Sequence, residues 1–188
     1  MKEKLSYKPL TEKTWKDFEN LFGKNGACMG CWCMHWKLRR AEFYEGKGEV
    51  NKKKQLKVVK SGISPGIILY EGRIPVGWCA IEPRNQYPVM ENSRVMKMPD
   101  IDNVWSVSCF FIHKDHRKKG LSVQLLEFVK DYCKKKKAKI IEGYPYELKK
   151  HTAPPFVWTG LSSAFLKAGF SEVERHSPTR PIMRFFLE

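Results

Sequence analysis

The run that most narrows what this chain can fold into is Phe110-Phe-Ile-His-Lys-Asp-His-Arg-Lys-Lys-Gly-Leu-Ser-Val-Gln-Leu-Leu126. It continues Val104-Trp-Ser-Val-Ser-Cys-Phe-Phe-Ile112, a stretch of high β propensity with little alternation, as a central strand covered on both faces requires. Past a turn over residues 113–120, Leu121, Leu125, Phe128, Val129 and Tyr132 recur at helical spacing and make a broad apolar stripe. A strand that feeds a helix through a tight turn leaves the first helical amides unpartnered, at the positive end of the helix dipole. Gly120 permits close backbone approach, Ser122 is small, and Arg117, Lys118 and Lys119 add charge. These features predict a phosphate or pyrophosphate cradle. An ordinary turn with solvated basic residues is the bland alternative. Neither G-x-x-x-x-G-K-[ST] nor G-x-G-x-x-G is present, which excludes a P-loop and a dinucleotide fingerprint.

The rest of the chain punctuates as a mixed α/β domain. Thr11 or Thr14 is placed to cap a helix that carries Trp15, Phe18 and Phe22, and a polar helical stretch over 51–60 stops at Ser61-Gly62. Residues 66–70 and 74–81 read as two strands joined by Glu71-Gly72-Arg73. A short strand is expected over 138–142 and a helix over 161–168, ended by Gly169; strands over 172–176 and 182–187 close the chain. No repeat or linker divides the 188 residues. The expected fold class is α/β (α+β): a single domain, 1–188, with a mixed central sheet flanked by helices. Within it, 1–65 reads as a helical N-terminal region and 66–188 as the core.

Charge narrows the partners less than it first suggests. Against 20 Asp and Glu stand 35 Lys and Arg, a formal net charge of +15. Such a surplus attracts nucleic acid and polyphosphate-bearing small molecules alike. No RNP-like aromatic pair and no helix-turn-helix is readable, so a basic nucleic-acid-binding module stands as the alternative rather than the first reading. The uncharged runs stop short of the roughly 18 apolar residues that a membrane span needs, and residues 1–8 show no apolar leader stretch. A cytoplasmic protein with no membrane partner is expected, its six cysteines reduced. Cys28-x-x-Cys31-x-Cys33-x-His35 gathers four soft ligands, but no second knuckle follows. Trp32, Met34 and Trp36 interleave with them. Packing or pocket lining is expected there, and no metal; zinc and redox roles are the alternatives.

The hexapeptide Arg117-Lys-Lys-Gly-Leu-Ser122 resembles the Q/R-x-x-G-x-G/A signature of GNAT-type N-acetyltransferases. His113-x-Asp115-His116-Arg117 is similar to that family's approach to the turn, and Ser163-Ala-Phe-Leu-Lys-Ala-Gly-Phe170 to its late helix ending in Gly-Phe. The likeness runs from residue 66 to residue 187, and within the family the chain resembles a bacterial group with an N-terminal Cys-Trp-Cys segment. The resemblance implies splayed central strands and acetyl-CoA as co-substrate. Phe110, Phe111 and Ile112 would lie along the pantetheine arm. Arg117, Lys118, Lys119, Gly120, Leu121 and Ser122 would form the pyrophosphate loop. It also implies direct transfer to an amine acceptor, with 1–65 on the acceptor side.

Amide formation from a thioester requires a neutral amine, a donor for the developing oxyanion and a proton for the departing thiolate. The resemblance puts the last role on a tyrosine four residues before the glycine of Gly-Phe. Phe165 stands at that position. Glu142, as a water-mediated relay, and Tyr144, as an acid, are the candidates in its place; Ser162 and Ser163 are further ones. His35, His113, His116, His151 and His176 are scattered, and none stands out. Trp32, Trp36, Trp78, Trp105 and Trp158 are candidates for an acceptor pocket. A catalytically inactive CoA sensor of the same fold is a further alternative, and monomer and homodimer both stay open.

Overall fold

Along residues 66–83 successive side chains are buried on alternate faces. Ile67, Leu69, Cys79 and Ile81 join one core, while Ile68, Tyr70, Trp78 and Ala80 join another. Strands buried on both faces demand a helical layer on each side. The computed structural model describes residues 3–99, 102–148 and 156–188. Among them, the helices are α1 (Trp15–Phe22), α2 (Arg40–Glu45), α3 (Glu49–Lys60), α4 (Pro88–Glu91), α5 (Leu121–Lys135) and α6 (Ser162–Lys167). The strands are β1 (Leu5–Pro9), β2 (Gly66–Glu71), β3 (Ile74–Pro83), β4 (Val104–Ile112), β5 (Ile140–Gly143), β6 (Ser171–Glu174) and β7 (Ile182–Phe186). They form a single mixed α/β domain around one seven-stranded sheet, in the order β1-β2-β3-β4-β5-β7-β6.

The strand pairs are antiparallel except β4 with β5. A parallel pair needs a crossover, and α5 supplies it. The buried face of α5 sets Leu121, Leu125, Leu126, Val129, Tyr132 and Cys133 against the first core. Each such apolar side chain contributes about 1.5–3 kcal/mol relative to exposure. On the opposite face, Phe18, Leu21 and Phe22 of α1 and Val59 of α3 cover Trp78 and Tyr70. The helical reading of 1–65 is corrected at its start, where β1 is an edge strand paired with β2 from Leu5↔Glu71 to Pro9↔Ile67. Its short run, with Ser6 and Lys8 among five residues, carries little periodic signal.

Two irregularities shape the middle of the sheet. The β3–β4 register slips between Ala80 and Ile81, pairing Ala80 with Cys109 and Ile81 with Val107, so Ser108 is the extra residue of a bulge. The β4–β5 ladder runs from Val104↔Ile140 to Val107↔Gly143 and stops. Beyond it, residues 108–112 keep β3 on one side and have no β5 on the other. The central strands therefore splay, as expected.

Phe165, fully buried on α6, fills the space beneath the splay and packs against Phe110 and Phe170 at centroid distances of 5.8 and 5.0 Å. Gly143, where the β4–β5 ladder ends, is glycine because a Cβ there would drive into that ring. Gly143→Ala should destabilise the protein by about 1–3 kcal/mol, read as a Tm loss of about 2–4 °C per kcal/mol. An unchanged melting curve would refute the proposed contact.

Candidate active site

The turn into α5 has the backbone geometry that an anion cradle requires. Gly120, the residue before the helix, sits at φ 76° with no side-chain cap, and Lys118 is also left-handed at φ 60°. For lysine that conformation costs roughly 1–2 kcal/mol. It is tolerated where it turns successive amides toward one point. Val123 and Gln124 donate their amides back to the Gly120 carbonyl, whereas the amides of residues 118–122 donate to no backbone carbonyl among the described residues. Arg117 braces the turn: its Nε donates to the Ile112 carbonyl at 3.0 Å.

A cavity of about 400 Å³ opens at this point. Its lining brings together Phe110, Phe111 and Ile112 of β4 with Arg117, Lys118, Gly120, Leu121 and Ser122. Lys119 is the one residue of the expected loop that does not line it. Val157, Trp158, Gly160 and Leu161 close the far side, and Ala27 and Cys28 close one end. On the β4 edge left open by β5, the Phe110 amide donates to the Trp158 carbonyl at 2.6 Å. Ile112 presents the same edge two residues on.

The Cys-Trp-Cys segment is bolted onto the bulge. Trp36 Nε1 donates to the Ser108 carbonyl at 3.2 Å, satisfying the irregular rung. Trp32 stacks between Trp15 and Phe22, and Trp78 Nε1 donates to Cys33 Sγ at 3.1 Å. Positive φ angles at Gly26, Ala27, Met29, Gly30, Trp32 and Cys33 coil the backbone tightly enough to fit. Burial pushes the Cys28 and Cys33 thiols up, which keeps them protonated. Among the described residues, no group of three or more His, Cys, Asp or Glu side chains is placed to hold a metal ion. Of the five tryptophans named as pocket candidates, Trp158 lines the cavity and Trp36 packs against it at 5.4 Å. Trp32, Trp78 and Trp105 belong to the packed cores.

Glu142 and Tyr144 are brought together, but inside the protein. Both are fully buried and neither lines the cavity. Tyr144 donates to Glu142 Oε1 at 2.5 Å and meets Ser106 Oγ at 3.1 Å. Arg184 of β7 grips Glu142 Oε2 through Nε at 2.7 Å and Nη2 at 2.6 Å, and Arg84 Nη1 stands 3.7 Å from Oε1. Burial, reinforced by the carboxylate, pushes the Tyr144 phenol far up. A second buried pair, Lys37 with Glu82 at 2.5 Å, lies beside it in register, since Glu82 pairs with Ser106. Burial raises the Glu82 carboxyl while Lys37 pulls it back.

Sequence reasoning named His35 only as a soft ligand and as one of five scattered histidines, and it did not name Arg180. His35 is half-buried and lies edge-on to Trp36, Phe43 and Trp158 at 4.7, 5.0 and 5.1 Å. Its imidazole pKa falls below the usual value, first through burial and then through the fields of Arg180 and Lys47. The aromatic neighbours of His35 in sequence were the available hint. Arg180, between Thr179 and Pro181, offered none. His113 and His116 flank the turn, Ser162 and Ser163 begin α6, and His176 rests on the Lys97 carbonyl; His151 lies outside the described residues.

No curated protein matches the chain in sequence. The family model described as acetyltransferase (GNAT) family matches residues 24–144, more than half its length. The chain belongs to the GNAT acetyltransferase family. Solved structures repeat this GNAT fold at low identity. One is a GNAT acetyltransferase from Listeria monocytogenes, 10% identical, with a TM-score of 0.60 over 97% of this chain and 95% of that one. Another is the PaiA N-acetyltransferase of Thermoplasma acidophilum in complex with coenzyme A, 12% identical, TM-score 0.54, covering 98% and 99%. A third is yncA of Salmonella typhimurium with its cofactor acetyl-CoA, 11% identical, TM-score 0.53, covering 98% and 94%. Among the described residues of this GNAT protein, no helix is long and apolar enough to cross a membrane.

The depressed His35 pKa has a signed consequence for stability. The unfolded chain takes up a proton near the ordinary imidazole value of 6.5, before the folded chain does. Stability should therefore fall as pH drops below about 6.5, because the unfolded state then binds more protons. His35→Phe should flatten that limb between pH 6.5 and the carboxylate range in urea titrations. An identical pH profile in the variant would disprove the assignment.

Proposed function

We propose that this GNAT protein is an acetyl-CoA-dependent N-acetyltransferase that acts by direct transfer on a primary amine of a small acceptor. One observation carries the reading. The outer half of β4 and the turn into α5 line a single cavity at a helix N-terminus whose amides are free. The resemblance to family members with a Cys-Trp-Cys segment fits the same proposal, because that segment reaches both the cavity end and the bulge.

The residues present fit the co-substrate. Amides over 118–122, with the charges of Arg117 and Lys118, would hold its pyrophosphate. Lys119 would contribute at longer range. Phe110, Phe111 and Ile112 would flank the pantetheine arm. The Phe110 amide already serves the Trp158 carbonyl, so the arm would displace that carbonyl or bond farther out at Ile112. When bound, acetyl-CoA supplies the activated acetyl thioester. His35, kept neutral by its surroundings and edge-on to Trp158 of the cavity wall, takes up the amine's proton. For Glu142 and Tyr144 we propose a positioning role: their network clamps β4, β5 and β7 where the strands part. Phe165, fully buried, offers no proton.

Calorimetric titration with acetyl-CoA tests the cavity assignment, and thiol release across an amine panel tests turnover. A Cβ on Gly120 would have space in the structure, but it would stand in the cradle on a left-handed residue. Gly120→Val should weaken acetyl-CoA binding by about tenfold or more, since strain of roughly 1–2 kcal/mol adds to lost approach. Unchanged affinity would remove the pyrophosphate role from this turn. Binding without turnover would replace the enzyme with a CoA-binding protein.

A further inference from the structure

Behind the aromatic wall of the site sits a cation that no carboxylate neutralises among the described residues. Arg180 is only 9% exposed, and its Nη1 has no hydrogen-bond partner. Its guanidinium lies 4.0 Å over the Tyr146 ring. Glu147, whose amide donates to the neighbouring Thr179 carbonyl at 2.9 Å, gives its own carboxylate to Arg175 at 2.6 Å. Stripping an arginine of water without a counter-charge is costly, and a ring face offsets part of that cost. Elsewhere this protein does pair its buried charges: Glu142 with Arg184 and Glu82 with Lys37.

The surroundings are aromatic and positive. Arg180 and Lys47 are the two charged groups whose fields reach His35, and both are cations. Trp36, Phe43 and Trp158 enclose the same imidazole. Tyr146, under the guanidinium, donates its amide to the carbonyl of Gly160, which lines the acetyl-CoA cavity with Trp158. Gly160 and Trp158 therefore link the surroundings of Arg180 and His35 to the wall of the cavity.

We propose that Arg180 is the receptor for a carboxylate on the acceptor, which makes the substrate class an amino acid-like molecule with an apolar or aromatic body. A guanidinium fork matches a carboxylate in geometry as well as charge. With Arg180 neutralised by that carboxylate, Lys47 still disfavours the ammonium form of the incoming amine, so the attacking nitrogen arrives neutral beside His35. The amine half of this statement rests on the acetyltransferase reading; the carboxylate half does not.

The test separates them. Hydrocinnamate and its neutral isostere hydrocinnamamide are titrated calorimetrically into the wild-type protein, Arg180→Gln and Arg180→Lys, with acetyl-CoA titrated into each. The carboxylate should bind the wild type about tenfold or more tightly than the amide, as expected for a charge-assisted contact. Arg180→Lys should retain part of that preference and Arg180→Gln none, with acetyl-CoA affinity unchanged. In turnover, phenylalanine should be preferred over phenethylamine by a similar factor. Equal affinities in the wild type, no binding of hydrocinnamate, or a preference that survives Arg180→Gln would overturn the carboxylate receptor. Loss of acetyl-CoA binding by the wild type would overturn the acetyltransferase reading alone.

Discussion

The structure depends on one rung of the sheet, where β4 stops pairing with β5. Everything functional is arranged around the point at which that ladder ends, at Val107 and Gly143. The bulge at Ser108 turns the outer half of β4 away while leaving it bonded to β3. An open edge of this kind exposes backbone groups that must find partners. Three are visible: Trp36 Nε1 takes the Ser108 carbonyl, the Trp158 carbonyl takes the Phe110 amide, and Arg117 Nε takes the Ile112 carbonyl. Each partner comes from a different segment. The splay is thus what gathers the N-terminal segment, the late loop and the α5 turn into one place.

Holding such an opening at fixed width requires stiffness on its closed side. Glu142 sits on the second-last β4–β5 rung opposite Ser106 and pairs in register with Arg184 of β7. Its carboxylate is shared among Arg184, Arg84 and Tyr144, whose hydroxyl also meets Ser106. A buried network in which most groups are satisfied rigidifies, whereas removing one partner strands a charge. That behaviour suits a clamp better than a proton shuttle, which must exchange protons with water or substrate.

How much of this could be read beforehand follows from what local sequence encodes. The strand–turn–helix from Val104 to Lys135 was legible because β propensity, a glycine and a helical stripe all agree over consecutive residues. The hairpin around Gly72 was legible for the same reason. β1 was not, since an edge strand of five residues, Leu-Ser-Tyr-Lys-Pro, carries no periodic signature. The roles of Glu142, His35 and Arg180 were invisible for another reason. A carboxylate near a strand end looks the same whether it faces water or two arginines 42 and 58 residues away, and only tertiary packing decides. Cys28 to Trp36 was legible as a packed apolar segment. Its attachment to the β4 bulge spans 72 residues and was not.

The net charge of +15 divides along the same line. Most of the basic residues are solvent-facing, and pairs such as Lys135 with Asp131 are worth little individually. Among the described residues, four buried cations differ from these. Lys37 lies against Glu82, and Arg184 and Arg84 share Glu142, so their cost is met within the fold. Arg180 has a tyrosine face and an unused Nη1. A fold that compensates its buried charges at two places and not at a third is carrying an uncompensated cost there. That third place adjoins the wall of the cavity, next to a histidine held neutral. Natural folds depart from local consistency mainly where a ligand completes them. On that ground the missing counter-charge is assigned to the acceptor rather than to any of the described residues.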